Sequence, residues 1–279
     1  MLTLILTGAV AVCGLMLVLW LVHFPLQNAA IVDAGWAGGL ALLGALYATA
    51  GSGWAPRRMV IGAMVVIWGI RLAFYLLVTR VIGQPEEGRY VQLRRLWRTH
   101  IGLKFLLFFQ FQAMLCIVLA IPFLVAAANS KPSLSAVEYA AALLWLVAMV
   151  GESIADAQLN AFKANPLNRG KTCRAGLWRY SRHPNYFFEW LIWVAFSLFA
   201  MGSLYGYVGL ISPLLMLFFL FRVSGIPATE AQALRSRGDD YRDYQNTTSA
   251  FVPWFQKNSK NARDSQTPKT SRAPGGGHK

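Results

Sequence analysis

Apolar residues run almost unbroken along most of this chain, and polar residues gather between the runs instead of alternating within them. The runs are Leu2–Val22, Ala29–Ala50, Met59–Ile82, Leu103–Ala127, Val137–Leu159, Phe187–Met201 and Tyr207–Phe221. A helix rises about 1.5 Å per residue, so roughly 20 apolar residues cross a bilayer. The first five runs are near or above that length. The last two are individually short, but the stretch from His183 to Phe221 is far too long for one crossing, and Gly202-Ser203-Leu204-Tyr205-Gly206 predicts a tight hairpin between two helices. No basic segment precedes the first run and a second run follows it at once, so it predicts a span and not a cleaved signal. The pattern as a whole predicts an all-α polytopic integral membrane protein of about seven transmembrane helices. A single domain is expected over residues 1–255, followed by a polar tail over 256–279 that its Pro and Gly content predicts to be disordered.

Composition sharpens this. Hydrophobic residues make up 56% and charged residues only 14%, against about 25% charged in a soluble domain. The formal net charge is nevertheless +14. A secreted disulfide scaffold, a soluble nucleotide-binding fold and a disordered chain are all excluded. The three cysteines, Cys13, Cys116 and Cys173, are too scattered for a disulfide frame or a zinc site. The cations are not spread evenly: segments 80–104 and 163–182 hold six each, and ten follow from Arg222 onward. Seven spans put all three blocks on one side and leave only Arg57, Arg58 and Lys131 on the other, which predicts an N-out, C-in topology. Contact with membrane lipids is expected; a nucleic-acid partner and a metal are not.

Asp33, Arg71, Glu152, Asp156 and Glu189 are charged residues within apolar runs. Each is costly at bilayer depth unless it faces partners or water, so each is a candidate for function. Glu152 and Asp156 are four residues apart and share a helix face, which Asn160 continues. Like charges so placed persist when one is protonated or when cations and donors oppose them. Asn185 and Glu189 repeat the spacing on the next helix, with Pro184 suited to its first position. The preceding Arg179-Tyr180-Ser181-Arg182-His183 sets cations and hydroxyls at a helix N-terminus, an end that favours anions such as phosphate. The fifth and sixth runs, joined by a cationic loop, thus outline a polar cavity for an anionic ligand with a hydrogen-bonding body. Nucleotide and metal signatures are missing: there is no G-x-G-x-x-G, Gly170-Lys171-Thr172 lacks the first Gly of a P-loop, and no H-E-x-x-H or cysteine pair occurs.

The stretch Gly176-Leu177-Trp178-Arg179-Tyr180-Ser181-Arg182-His183-Pro184-Asn185-Tyr186-Phe187-Phe188-Glu189 resembles the C-terminal signature of the steroid 5α-reductase superfamily. The chain is most similar to a bacterial branch of mostly uncharacterised membrane proteins. The likeness also takes in Val32-Asp33-Ala34-Gly35-Trp36, Arg71-Leu72, Gly83 to Tyr90, Ala155-Asp156, Asn165 to Gly170, and Tyr241 through Trp254. That superfamily also contains sterol reductases and isoprenylcysteine carboxyl methyltransferases. The resemblance implies a seven-helix enzyme of the inner membrane that binds NADPH on its cytoplasmic side and reduces a conjugated carbon–carbon double bond in a lipophilic substrate. Carried over by position, Asp156, Asn185 and Glu189 are implied to bind the nicotinamide–ribose part, and Arg169, Arg179, Tyr180 and His183 to lie around the phosphates. Tyr244 matches a tyrosine that closes over the cofactor, Arg71 an arginine reaching into the same cavity, and Glu152 a position that is polar in the relatives.

Reduction of an enone also needs a donor that polarises the carbonyl oxygen as negative charge develops there. The steroid enzymes use a Gln-Glu pair on their second helix and a Tyr on their third, and this chain departs from both. Asp33 is the acid available on the second run; Trp68 stands near where the Tyr falls, and Tyr75, four residues beyond Arg71, is the nearest hydroxyl. Asp33 and Tyr75 are therefore the candidate catalytic residues. A methyltransferase of the same superfamily using S-adenosylmethionine, and a non-catalytic lipid-binding or transport protein, are the competing functions.

Overall fold

The computed structural model describes residues 1–223 and 225–256; of the tail expected over 256–279, all but Gln256 lies outside the described residues. Among the described residues the chain is helical, with no strand. The helices are α1 (Leu2–Leu26), α2 (Ile31–Ala50), α3 (Ala55–Leu76), α4 (Gly88–Leu96), α5 (Ile101–Leu119), α6 (Ile121–Ala127), α7 (Ala136–Ala164), α8 (Pro184–Ala200), α9 (Ile211–Phe218), α10 (Ile226–Arg237) and α11 (Asp239–Thr247). Among the described residues, six helical stretches are long and apolar enough to cross a membrane: Leu2–Leu26, Ile31–Ala50, Ala55–Val81, Ile101–Leu119, Ala136–Ala164 and Gly206–Arg237. The chain is a polytopic helical membrane protein. The expected crossing that falls short is α8, apolar but only 17 residues long.

One expected run is broken. Leu103–Ala127 is two helices, α5 and α6, parted at Ala120. Pro122 has no N–H to give the preceding turn, so the ladder cannot continue through it. The Leu119 carbonyl at the break accepts instead from Ser212 Oγ at 3.1 Å. The predicted hairpin is present. α8 ends at Ala200, Tyr205 takes a left-handed conformation, and a Cβ at Gly206 would stand 2.1 Å from the Ala200 carbonyl oxygen.

Residues 1–255 fall into two compact units. The first comprises residues 1–149 and 190–217. Between membrane helices there is no difference in hydrophobicity to drive contact, so close approach matters. A Cβ on Gly62 would lie 2.4 Å from that of Ala48, and one on Gly69 would lie 2.8 Å from the Ala37 carbonyl oxygen; α2 and α3 meet backbone to backbone at these points. Trp36, Trp68 and Trp193 join Phe123 and Phe196 in a set of edge-to-face and tilted rings, with Trp68 and Trp193 at 5.1 Å between centroids. Arg57 and Glu138 form a fully buried ion pair in this unit, 1% and 0% exposed, with Nε to Oε1 at 2.5 Å. The same guanidinium donates to the carbonyls of Asn129, Lys131 and Ser133.

The second unit comprises residues 150–189 and the described residues from Phe218 onward. Its C-terminal part carries α10 and α11, short amphipathic helices in a polar stretch where no apolar run announces them. Pro227 in its first turn opens α10, Gly238 at φ +53° separates the two helices, and Asp239 and Asp240 favour the positive end of α11. Ala233, Leu234, Tyr241 and Tyr244 form their shared apolar contact.

Candidate functional site

Of the residues singled out for a cofactor, all but Arg71 fall in the second unit. On α7, Glu152 and Asp156 are buried one turn apart. On α8, which begins at Pro184 as expected, Asn185 Nδ2 donates to Asp156 Oδ1 at 3.2 Å. The amide orientation is set by its own oxygen, which accepts from the Tyr186 N–H at 3.0 Å. Glu189 is half-buried one turn further along α8. The spacing read from the sequence therefore brings Asp156 and Asn185 into direct contact, with a second carboxylate one turn away on each helix.

The cationic loop is tied to the same part of α7. Trp178 is buried and its indole N–H donates to the Ala155 carbonyl at 2.9 Å, while the Leu177 N–H donates to Gln158 Oε1 at 2.9 Å. Gly176 takes φ +60°, which favours glycine, and a Cβ there would stand 2.3 Å from the Gln158 amide that accepts the Leu177 N–H. Arg169, Arg179 and Tyr180 are exposed. They are the outward members of a loop whose inward members are fastened down.

The C-terminal segment straps this loop from the other direction. The Tyr244 hydroxyl donates to the carbonyls of Trp178 and Ser181, the latter at 3.0 Å. Ser181 Oγ donates to the Phe251 carbonyl at 2.7 Å, the Arg182 N–H to Ser249 at 2.8 Å and the Trp254 N–H to Tyr180 at 2.9 Å. His183 is buried and its ring lies parallel to Tyr186 at 5.3 Å between centroids. Tyr244 and His183 thus brace the loop that presents Arg179 and Tyr180.

Beneath the strap lies a cluster not singled out in the sequence. Glu230 of α10 accepts from Arg182 Nε at 2.7 Å and from Gln245 at 2.8 Å, and its Oε1 is 3.2 Å from His183 Nε2. Arg182 also donates to the carbonyls of Gln245 and Thr248. A signal was available: Glu230 is the one acid between Glu189 and Asp239, set in a cation-rich stretch.

Burial pushes the phenols of Tyr241 and Tyr244 up from their ordinary value of 10.0, helped at Tyr241 by the Glu230 charge. The folded state thus holds these protons more tightly than the unfolded chain. That stabilisation is complete below about pH 10 and is lost as pH rises past it toward the folded-state values. Thermal midpoints measured from about pH 8 to about pH 11 should fall more steeply for the wild type than for Tyr241→Phe/Tyr244→Phe. Parallel slopes would show that these phenols do not titrate against folding.

The candidates on the earlier helices lie in the first unit. Asp33, in the first turn of α2, accepts from Arg89 Nη2, from Tyr90 Oη at 2.7 Å and from Arg80 Nη1 at 3.2 Å. Burial, and then the Asp33 charge beside it, push the Tyr90 phenol well up. Nearby, Glu86 takes a two-pronged contact from Arg94 at 2.8 and 3.0 Å and accepts the Ala29 N–H at 2.8 Å. Asp33 is therefore the node of a polar network joining α2 to α4. Arg71 and Tyr75 stand one turn apart on α3, both half-buried. Among the described residues there is no group of three or more His, Cys, Asp or Glu side chains placed to hold a metal ion.

A family model described as a protein of unknown function (DUF1295) matches residues 19–248. No curated protein and no solved structure matches the chain.

Proposed function

The chain belongs to the DUF1295 family, and from that footing we propose that it is a membrane-embedded NADPH-dependent reductase of a conjugated carbon–carbon double bond in a lipophilic substrate, related to the steroid 5α-reductase superfamily. The observation that carries the reading is the contact between Asp156 and Asn185, made across two helices within the unit that also holds the cationic loop. The donor set suits a dinucleotide. Buried carboxylates and an amide offer acceptors and donors for a ribose and a carboxamide, and exposed guanidiniums on a braced loop offer charge for phosphates.

In this reading Asp156, Asn185 and Glu189, with Glu152 beside them, hold the nicotinamide–ribose part. Arg169, Arg179 and Tyr180 meet the phosphates, while His183 and Tyr244 fix the loop that carries them. Arg71 is assigned on family likeness. NADPH, when bound, supplies the hydride. Asp33, which accepts from Arg80, Arg89 and Tyr90, and Tyr75 are the candidates for the group that delivers the proton. With the 17-residue α8 counted as a short seventh crossing, the cations fall on one side and favour an N-out, C-in orientation in the bacterial inner membrane, with the cofactor side cytoplasmic.

The test is a titration of the purified protein with NADPH, followed by nicotinamide fluorescence. Saturable binding is expected, and Glu189→Ala should weaken it roughly 10- to 100-fold, the loss of hydrogen bonds to a charged group. Binding of S-adenosylmethionine with none of NADPH would overturn the reductase and favour the methyltransferase.

A further inference from the structure

We propose that the corner from Arg95 to Lys104 is a binding site for the phosphate-bearing headgroup of an anionic phospholipid. The inference does not rest on the reductase reading.

The first support is position. This corner lies between the crossing that ends at Val81 and the one that begins at Ile101. At about 1.5 Å per residue, Arg98 and Lys104 each sit within about a turn of the point where α5 enters the membrane, at the depth of lipid headgroups.

The second is how charge is shared out. The segment has cations at Arg80, Arg89, Arg94, Arg95, Arg98 and Lys104, and no acid from Gly88 to Lys104. Three of the six are neutralised within the protein: Arg80 by Asp33 and Glu87, Arg89 by Asp33, and Arg94 by Glu86. Arg95 and Arg98 are exposed and form no ion pair among the described residues. Among the described residues, Lys104 Nζ donates to the Trp97 carbonyl alone, at 3.4 Å. Attraction to the negative end of α4 accounts for Arg95 in its last turn. It does not account for Arg98 beyond the helix or for Lys104 in the first turn of α5, where the helix dipole is unfavourable to a cation.

The third is that the ground beneath these cations is fixed. Trp97 packs edge-on against Phe105 at 5.0 Å, the Trp20 indole N–H donates to the Gly102 carbonyl at 2.9 Å, and His100 turns the chain in a left-handed conformation at φ +54°. The cations therefore stand on a set corner and not on a loose loop.

The fourth separates a lipid from a free anion. Leu96 is 76% exposed and Leu103 55% exposed, both at the same corner. A soluble phosphate has no use for these leucines, whereas a phospholipid offers an acyl chain to them and its phosphate to the arginines.

The experiment uses the full-length protein in mixed micelles holding equal amounts of phosphatidylglycerol and phosphatidylcholine, with retained lipid counted by native mass spectrometry. The wild type should retain phosphatidylglycerol in preference. Arg95→Gln/Arg98→Gln should cut that retention roughly thirtyfold, as removal of two interfacial cations implies. Arg222→Gln/Arg235→Gln, which removes two exposed cations elsewhere, should leave it unchanged. Equal retention by the Arg95/Arg98 variant, an equal loss in the Arg222/Arg235 control, no preference over phosphatidylcholine, or displacement of the lipid by millimolar inorganic phosphate would each overturn the proposal.

Discussion

Glu138→Ala should lower the stability of the protein by about 3 to 5 kcal/mol, the typical cost of removing one partner from a buried ion pair. The reason lies in what remains. Arg57 is 1% exposed, and without Glu138 its charge is left in a dry site with three backbone carbonyls and the Trp54 ring as its partners. Glu138 has a further duty at its own helix end, where Oε2 accepts from the Ser135 N–H at 2.7 Å and from its hydroxyl at 2.9 Å. The alanine variant therefore strands a cation and uncaps α7 together. Thermal unfolding in detergent should show a midpoint lower by on the order of 10 °C. Removing both charges, as Arg57→Met/Glu138→Leu, should cost less than the single change, because a buried pair replaced by apolar groups is often nearly neutral. A double variant less stable than Glu138→Ala would mean that the carbonyl contacts of Arg57, and not its charge pairing, hold this corner.

Neither Arg57 nor Glu138 could be paired from the sequence, since 81 positions separate them and nothing local couples them. What could be read were features repeated along the chain. The apolar runs mark the membrane helices because a crossing segment must satisfy its backbone internally and face lipid along its length. Pro122 marks the break in the fourth run by a rule that needs no neighbour. α4, α10 and α11 were not marked, because short amphipathic helices carry too few apolar positions to stand out. The site divides in the same way. Spacing alone placed Asn185 and Glu189 on one face and Glu152 and Asp156 on another, and the Asp156–Asn185 contact follows once the two helices are neighbours. Spacing could not show that Glu230 lies under Arg182 and His183, nor that Asp33 is shared among Arg80, Arg89 and Tyr90. Those contacts depend on how distant segments meet, which no periodicity records.

Glu230→Ala should loosen the C-terminal strap. Glu230 holds Arg182, His183 and Gln245 together, and Arg182 in turn holds the Gln245 and Thr248 carbonyls. Arg182 and Glu230 are 12% and 15% exposed. Some solvent reaches both, so the expected loss is about 2 to 3 kcal/mol, less than for a wholly buried pair. The loss should be local. Amide hydrogen exchange in α10 and α11 should quicken by roughly 30- to 150-fold, which is that free energy expressed as a rate ratio. Glu230→Gln, which keeps an acceptor but not the charge, should fall between. Unchanged exchange in α11 would show that the Tyr241–Tyr244 contact holds the strap without the ion pair. The same variant also bears on the proposed function. Because the strap braces the loop that presents Arg179 and Tyr180, a ligand bound there favours the strapped state by mass action. NADPH at about a hundred times its dissociation constant contributes about 2.7 kcal/mol. In the wild type it should therefore slow exchange in α11, and in Glu230→Ala it should recover much of the lost protection. S-adenosylmethionine producing that recovery while NADPH does not would move the assignment to the methyltransferase.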